Sequence, residues 1–360
     1  MNGVGERSRP TLAIVGATGA VGRVMLELLS QRADVWGEIR LLASERSRGS
    51  VLSVRGEDVA VRELTVEALE GVDVAIFLVP EHVALRWAPV AAEAGAVVID
   101  NSRAFRAERD VPLVVHGYNT AQVANRPRGI ISSPTGSTLI LLDATAALHS
   151  GWGLTELVVT TFEAATGAGV RGGERLYAET KAVAGDPDLG WHIGDVRRRI
   201  DEELPPGSPF PAPLALNLVP WVGREAGAGW STSEMSIRDE LRKVLDLPSL
   251  HVAATCVRVP VMSSHSMAVH AQFENPIPLE QARTALLQAP SVVVLDDIEH
   301  DEWPTPVDVT GSEPTFVGRL RQTADFPDAV DFFVCGDNLR KGAATNTAQI
   351  AETLADELGA

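Results

Sequence analysis

Apolar residues in the first third of the chain fall in short unbroken runs. Residues 11–15, 39–43, 72–79 and 96–99 read as buried strands. Between them, residues 21–29 and the alanine-rich stretch 84–94 carry the spacing of helices. Strands alternating with helices predict an α/β unit built on a doubly wound parallel sheet. From about Ser137 the pattern changes. Residues 139–148 predict a buried helix, residues 156–162, 251–261 and 267–273 longer strands, and residues 233–245 and 279–287 amphipathic helices. This predicts a second, α+β domain with a mostly antiparallel sheet. A last helix, residues 342–358, is placed to return to the first domain, which gives domains at 1–135 (with 342–360) and 136–341. The Pro- and Gly-rich stretch 205–213 reads as a loop, able to serve as a dimer arm.

A length of 360 residues agrees with two domains, and a hydrophobic share of 45% supplies two cores. The formal net charge of −17 repels a phosphate backbone, so nucleic acid is excluded as a partner class. Two cysteines, Cys256 and Cys335, are too few for a disulfide framework and suit a reduced compartment. Residues 1–10 are polar and show no leader, and no apolar run reaches the length of a membrane span, so a cytoplasmic protein is expected. The acidic run from Asp296 to Glu302 reads as a solvated loop, and no metal site is expected.

Gly16, Gly19 and Gly22 follow the first strand directly and precede a helix. Glycines in this order permit a tight turn and let the backbone approach a pyrophosphate, which the free N–H groups of the helix start attract. Gly16, Thr18, Gly19, Ala20, Val21 and Gly22 are therefore the expected dinucleotide contacts. An NAD site carries an acid at the end of the second strand. Here that strand runs into Ser44-Glu45-Arg46-Ser47-Arg48, whose Ser44, Arg46 and Ser47 can donate to a 2′-phosphate. NADP(H) is the expected cofactor.

With these segments in view, the chain resembles the aspartate-semialdehyde dehydrogenase family over nearly its whole length. The resemblance is carried by Val15-Gly16-Ala17-Thr18-Gly19-Ala20-Val21-Gly22, by Leu42-Ala43-Ser44-Glu45-Arg46-Ser47 and by Asp100-Asn101-Ser102-Arg103-Ala104-Phe105-Arg106. It continues through Thr166-Gly167-Ala168-Gly169, Cys256-Val257-Arg258-Val259-Pro260 with His265-Ser266, and Asp337-Asn338-Leu339-Arg340-Lys341-Gly342. It implies a Rossmann-type first domain, a second domain for substrate and dimerisation, and a homodimer, with pairing to an active relative as an alternative. It also implies roles. Arg258 would clamp a substrate carboxylate, Glu234 would meet an ammonium group, Arg106 and Asn119 would make polar substrate contacts, and Asn338 would lie by the nicotinamide. His265 would act as general acid or base, because an ordinary imidazole titrates near neutrality. From the residues alone, Arg258 is equally a strand salt-bridge partner, His265 a bonded loop histidine, and Glu234 a first-turn acid after Ser231 and Thr232 as candidate caps.

The departures from the family pattern bear on the chemistry. The family's nucleophile loop, Asn-Pro-Asn-Cys-Ser-Thr, is matched by Ser133-Pro134-Thr135-Gly136-Ser137-Thr138, so the thiol position is Gly136. A phosphate-holding lysine aligns with Ser236 and a substrate-orienting glutamine with Glu163, whose charge would repel an acyl oxyanion. Cys256 and Cys335 read as small core residues. Three functions follow as expectations. The first is a binding or regulatory protein that holds NADP and an aspartate-like ligand without the family's acyl chemistry. The second is an oxidoreductase that passes hydride directly to an aldehyde, ketone or imine, with His265 as donor. The third is authentic aspartate-semialdehyde dehydrogenase activity by another nucleophile.

Overall fold

The computed structural model describes residues 9–359. The reading of residues 1–10 as leaderless lies mostly outside them. The chain forms two compact units, one running to Thr135 and resuming at Ala343, the other Gly136–Gly342.

In the first unit the elements are β1 (Leu12–Val15), α1 (Ala20–Gln31), β2 (Ile39–Ala43), the hairpin β3 (Val51–Val54) and β4 (Glu57–Ala60), β5 (Arg62–Glu63), α2 (Val66–Leu69), β6 (Val74–Phe77), α3 (Glu81–Glu93), β7 (Val97–Asp100) and β8 (Ile130–Ser132). Six strands pair in the order β5-β2-β1-β6-β7-β8, all parallel. Every residue of β1 and β6 is buried, as expected of strands covered on both faces. Full burial of each aliphatic side chain stabilises by about 1.5–3 kcal/mol. The chain leaves β1 towards β2 on one side and reaches β6 on the other, so the loop after β1 sits at the switch point where such sheets bind ligands.

The second unit holds α4 (Gly136–Trp152), β9 (Leu154–Glu163), α5 (Val170–Val183), α6 (Asp195–Glu203), α7 (Thr232–Leu245), β10 (His251–Arg258), β11 (His265–Phe273), α8 (Leu279–Gln288), β12 (Val292–Val294), α9 (Pro306–Val309), β13 (Thr315–Arg321) and β14 (Ala329–Gly336). The sheet order is β10-β9-β11-β14-β13-β12. The predicted antiparallel character holds for the middle pairings only. β10 and β12 join parallel to their neighbours, so the sheet is mixed. Helix α4 is apolar almost all round and buried, and its one acid, Asp143, meets Lys341 Nζ at 2.7 Å and Thr315 Oγ1 at 2.9 Å.

The last helix, α10 (Asn346–Gly359), packs Ala348, Ile350, Ala351 and Leu354 into the core formed by β1, β6 and α1. It begins later than residue 342. Asp337 Oδ1 accepts from the amides of Leu339 and Arg340, and its carbonyl accepts from Gly342 N, which winds Arg340–Thr345 into a wider π turn first. Among the described residues, no helix is long and apolar enough to cross a membrane.

Candidate active site

The dinucleotide cradle is built by close backbone contact in the first unit. Gly16 has φ +94°, and a Cβ there would collide with the carbonyl of Leu78. A Cβ on Gly22 would run into the carbonyl of Gly16, so α1 starts as near to the loop as backbone allows. The first turn of α1, opened by Gly19 with Ala20, Val21 and Gly22, has no acid and no side-chain cap. Its first N–H groups thus have no side-chain cap, an arrangement that suits a pyrophosphate. Thr18 Oγ1 lies 3.4 Å from Ser47 Oγ, which ties this loop to the short helical turn after β2. Ser44 and Arg46 are exposed there, while Arg48 pairs with Glu63 at 3.8 Å. Two residues expected at the substrate also bond within their own loops in this unit. Arg106 Nη2 donates to Asn101 O at 2.7 Å. The Asn119 amide accepts from Val115 N at 2.7 Å and donates to Leu113 O at 2.9 Å.

In the second unit, strand register gathers the chemistry. Arg258 ends β10 directly opposite Glu163 at the end of β9, and His265 opens β11 on the other flank of β9. Thr161, two residues before Glu163, lies on the same face. All are buried: Glu163 5%, Arg258 7% and His265 5% exposed. The backbone of Ala164 orients two of them. Its carbonyl accepts from Arg258 Nη1 at 2.6 Å, and its N–H donates to His265 Nδ1 at 3.1 Å. A ring that accepts at Nδ1 carries its proton on Nε2 when neutral. That Nε2 lies 3.9 Å from Glu163 Oε2, and Arg258 Nη1 lies 3.6 Å from the same oxygen. A Cβ on Gly167 would press on the Arg258 guanidinium and the His265 ring, so a side chain there would require one of them to shift.

Burial bears on the role expected of His265. Removal from water pushes its pKa down to about 4, and the nearby positive Arg258 adds to the fall, although Glu163 opposes it. At neutral pH the ring is an uncharged N–H donor. The residue before it, Ser264, has φ +74°, a strained conformation for a side chain of this kind. Asn338 holds the strain, since its Oδ1 accepts from Ser264 N at 2.8 Å and from the hydroxyls of Ser263 and Thr166 at 3.3 Å each. Glu234 also has a structural task. With Ser231 it forms a capping box on α7, its Oε2 accepting from Ser231 N at 2.7 Å and its Oε1 from Cys256 N at 3.1 Å. Ser236 is half-buried two residues further along α7.

Gly136 is the first residue of α4. A Cβ there would come within 3.1 Å of Gly342 O and 3.5 Å of Asn338 O. Its neighbour Ser137 donates from Oγ to Glu163 Oε1 at 3.2 Å, and Thr161 Oγ1 donates to the same oxygen at 3.3 Å. Neither hydroxyl contact was anticipated from the sequence. The two-residue spacing of Thr161 and Glu163 on a strand was the available signal for one of them. Both thiols are fully buried. Burial raises the pKa of Cys335 to about 11 and lifts that of Cys256 still further, where the charges of Glu163 and Glu234 add to the effect.

Comparison with known proteins places this arrangement. A model described as "Semialdehyde dehydrogenase, NAD binding domain" matches residues 11–126, and one described as "Semialdehyde dehydrogenase, dimerisation domain" matches residues 146–341. The chain is a member of the semialdehyde dehydrogenase family. It is 38% identical over 344 residues to an aspartate-semialdehyde dehydrogenase of Prochlorococcus marinus, covering 96% of this chain and 95% of that one. A relative of the same name in Streptomyces akiyoshiensis is 39% identical over 350 residues, covering 96% and 99%. Among solved structures, aspartate semialdehyde dehydrogenase II from Vibrio cholerae, complexed with ASA, superposes with a TM-score of 0.88 at 34% identity, covering 98% of this chain and 99% of that one. The family is one of oxidoreductases with an NAD(P)-binding domain, which agrees with the cradle around Gly16. The expected α/β architecture, a parallel N-terminal sheet followed by a second unit on a mixed sheet, is that of these relatives.

Proposed function

We propose that this family member binds NADP(H) and an amino-acid-sized ligand, acts as a binding or regulatory protein, and does not perform thiol-dependent, phosphate-dependent acyl transfer. The observation that carries this reading is Gly136. It stands where the resemblance calls for the nucleophilic cysteine, it has no side chain, and the space at its Cβ is narrowed by Gly342 and Asn338. A thiolate from elsewhere is disfavoured, because both thiols are buried in strands and hard to ionise. Ser137 is a weak substitute. Its hydroxyl faces only a carboxylate, and an oxygen ester accepts hydride less readily than a thioester. Ser44, Arg46 and Ser47 support NADP over NAD. Exposed Tyr177, Trp191, Ile193, Leu216 and Leu218 in the unit that matches the dimerisation domain support a homodimer.

The test is an assay of purified protein with aspartate semialdehyde, phosphate and NADP⁺, beside a fluorescence titration with NADPH. Binding of NADPH without phosphate-dependent reduction of NADP⁺ is expected. Steady phosphate-dependent reduction would restore the authentic activity that the relatives' names describe.

One observation favours the second reading, an oxidoreductase with direct hydride transfer. The His265 tautomer fixed by Ala164 leaves an Nε2–H that can donate to a carbonyl oxygen as it gains negative charge. The bound nicotinamide would supply the hydride, while His265 holds the oxygen and Arg258 the ligand. NADPH oxidation by a panel of aldehydes, ketones and imines, lost in His265→Asn with cofactor binding intact, would establish it.

A further inference from the structure

The loop after β2 carries two arginines, Arg46 and Arg48, on either side of Ser47. Its backbone is held along its length. Ser47 N donates to Ser44 O at 2.8 Å and Arg48 N to Glu45 O at 3.0 Å, which closes a single helical turn. Gly49 N donates to Val61 O at 2.9 Å and Val61 N to Ser50 O at 2.8 Å, which ties the end of the loop to the chain entering β5. Leu64 N donates to Ala43 O at 2.9 Å, which ties its start to the chain leaving β5. The backbone thus sets where both arginine stems begin, and the side chains are what can move.

Parallel pairing of β2 with β5 places Glu63 beside Ala43, the residue before Ser44. Its carboxylate meets Arg48 Nη1 at 3.8 Å, and the Arg48 and Glu63 side chains are 71% and 36% exposed. Arg62 faces the other side of β5 and meets Glu38 at 3.4 Å, so it does not offset Glu63. An exposed pair such as Arg48–Glu63 is held by no more than about fivefold in an equilibrium constant. Arg48 therefore leaves Glu63 at small cost.

A 2′-phosphate supplies the reason to leave. Such a group carries about two negative charges at neutral pH and three strong acceptor oxygens. One guanidinium, that of Arg46, matches one of those charges and two of those oxygens. Glu45, Arg46, Arg48 and Glu63 sum to zero, so this end of the sheet holds no net positive charge for a dianion until Arg48 turns from Glu63.

Resting on the reading of this loop as the NADP(H) site, we propose that Arg48 is a second ligand of the 2′-phosphate and that Glu63 holds it back, so that the pair sets how strongly NADPH is preferred over NADH. Binding exchanges the Arg48–Glu63 contact for a bidentate contact between Arg48 and the phosphate.

Fluorescence titration of the full-length protein with NADPH and with NADH tests this in the native form, Arg48→Gln, Glu63→Gln and the double variant. Arg48→Gln should weaken NADPH about fivefold or more and leave NADH within about twofold. Glu63→Gln should tighten NADPH about two- to fivefold, again with little change in NADH. In the double variant that gain should fall by about half or more, since no guanidinium remains to be released. Arg48→Lys keeps the charge without the planar fork and should lie between the native protein and Arg48→Gln, which covers the case in which Arg48→Gln fails to fold. NADPH affinity unchanged in Arg48→Gln, unchanged or weakened in Glu63→Gln, or moving in parallel with that of NADH would each overturn the proposal while leaving NADP(H) binding in place. Binding of neither cofactor by the native protein would overturn the proposed function and this inference together.

Discussion

Protonation of His265 is a step the fold resists, and the resistance has a calculable size. The ring titrates near 6.5 when free and at about 4 in the folded protein, chiefly because it is buried. The unfolded chain therefore takes up this proton first, and stability is lost as pH falls from about 6.5 to about 4. The full difference corresponds to about 3 kcal/mol, at about 1.4 kcal/mol per pH unit of displacement. Two-state linkage puts about 2 kcal/mol of it between pH 7 and pH 5. The perturbation is His265→Asn, whose short amide can accept from Ala164 N–H where Nδ1 does now. The assay is urea unfolding of both proteins at pH 7 and pH 5, read by tryptophan fluorescence. The variant should be less stable at pH 7, where a packed ring is lost, and should lose about 2 kcal/mol less than the native protein on going to pH 5. Equal losses in the two proteins would refute the argument, since the other titrating groups are common to both.

Other outcomes follow from the same geometry. Cys256 and Cys335 should resist alkylation by iodoacetamide in the native state at pH 7, whereas both should label in urea; rapid native labelling of either would show an accessible thiolate and undermine the assignment built on Gly136. Arg46→Ala should weaken NADPH about 10- to 100-fold in a fluorescence titration and leave NADH nearly unchanged, because a guanidinium bonded to a phosphate contributes about 1.5–3 kcal/mol. Arg258→Ala should destabilise the protein by about 3 kcal/mol by stranding the buried Glu163 charge, and Arg258→Ala with Glu163→Ala together should restore part of that loss in denaturant titrations.

The legible part of the sequence was the part governed by local pattern. Fully apolar runs such as Val74–Phe77 have few places to go except a covered parallel sheet, and Gly16 and Gly22 mark a backbone approach that no other residue permits. The Ser231 cap was visible as a candidate for the same reason, since capping acts over three residues. What the pattern could not give was register. Which side chain faces Glu163 depends on how β9, β10 and β11 align, and parallel entry of β10 sets Arg258 opposite Glu163 across 95 positions of chain. For that reason the sequence separated two statements that the structure joins. Arg258 read as an anion clamp or as a salt-bridge partner, and Glu163 read as a lost glutamine. Placed 3.6 Å apart and buried, each accounts for the other. The same neighbourhood lowers the pKa of His265, which was expected as a general acid or base, and no spacing along the chain encodes that shift because desolvation is a property of the packed cluster. In the proposed function positions 136 and 163 act in one direction: Gly136 offers no attacking group, and Glu163 sets a negative charge beside Arg258.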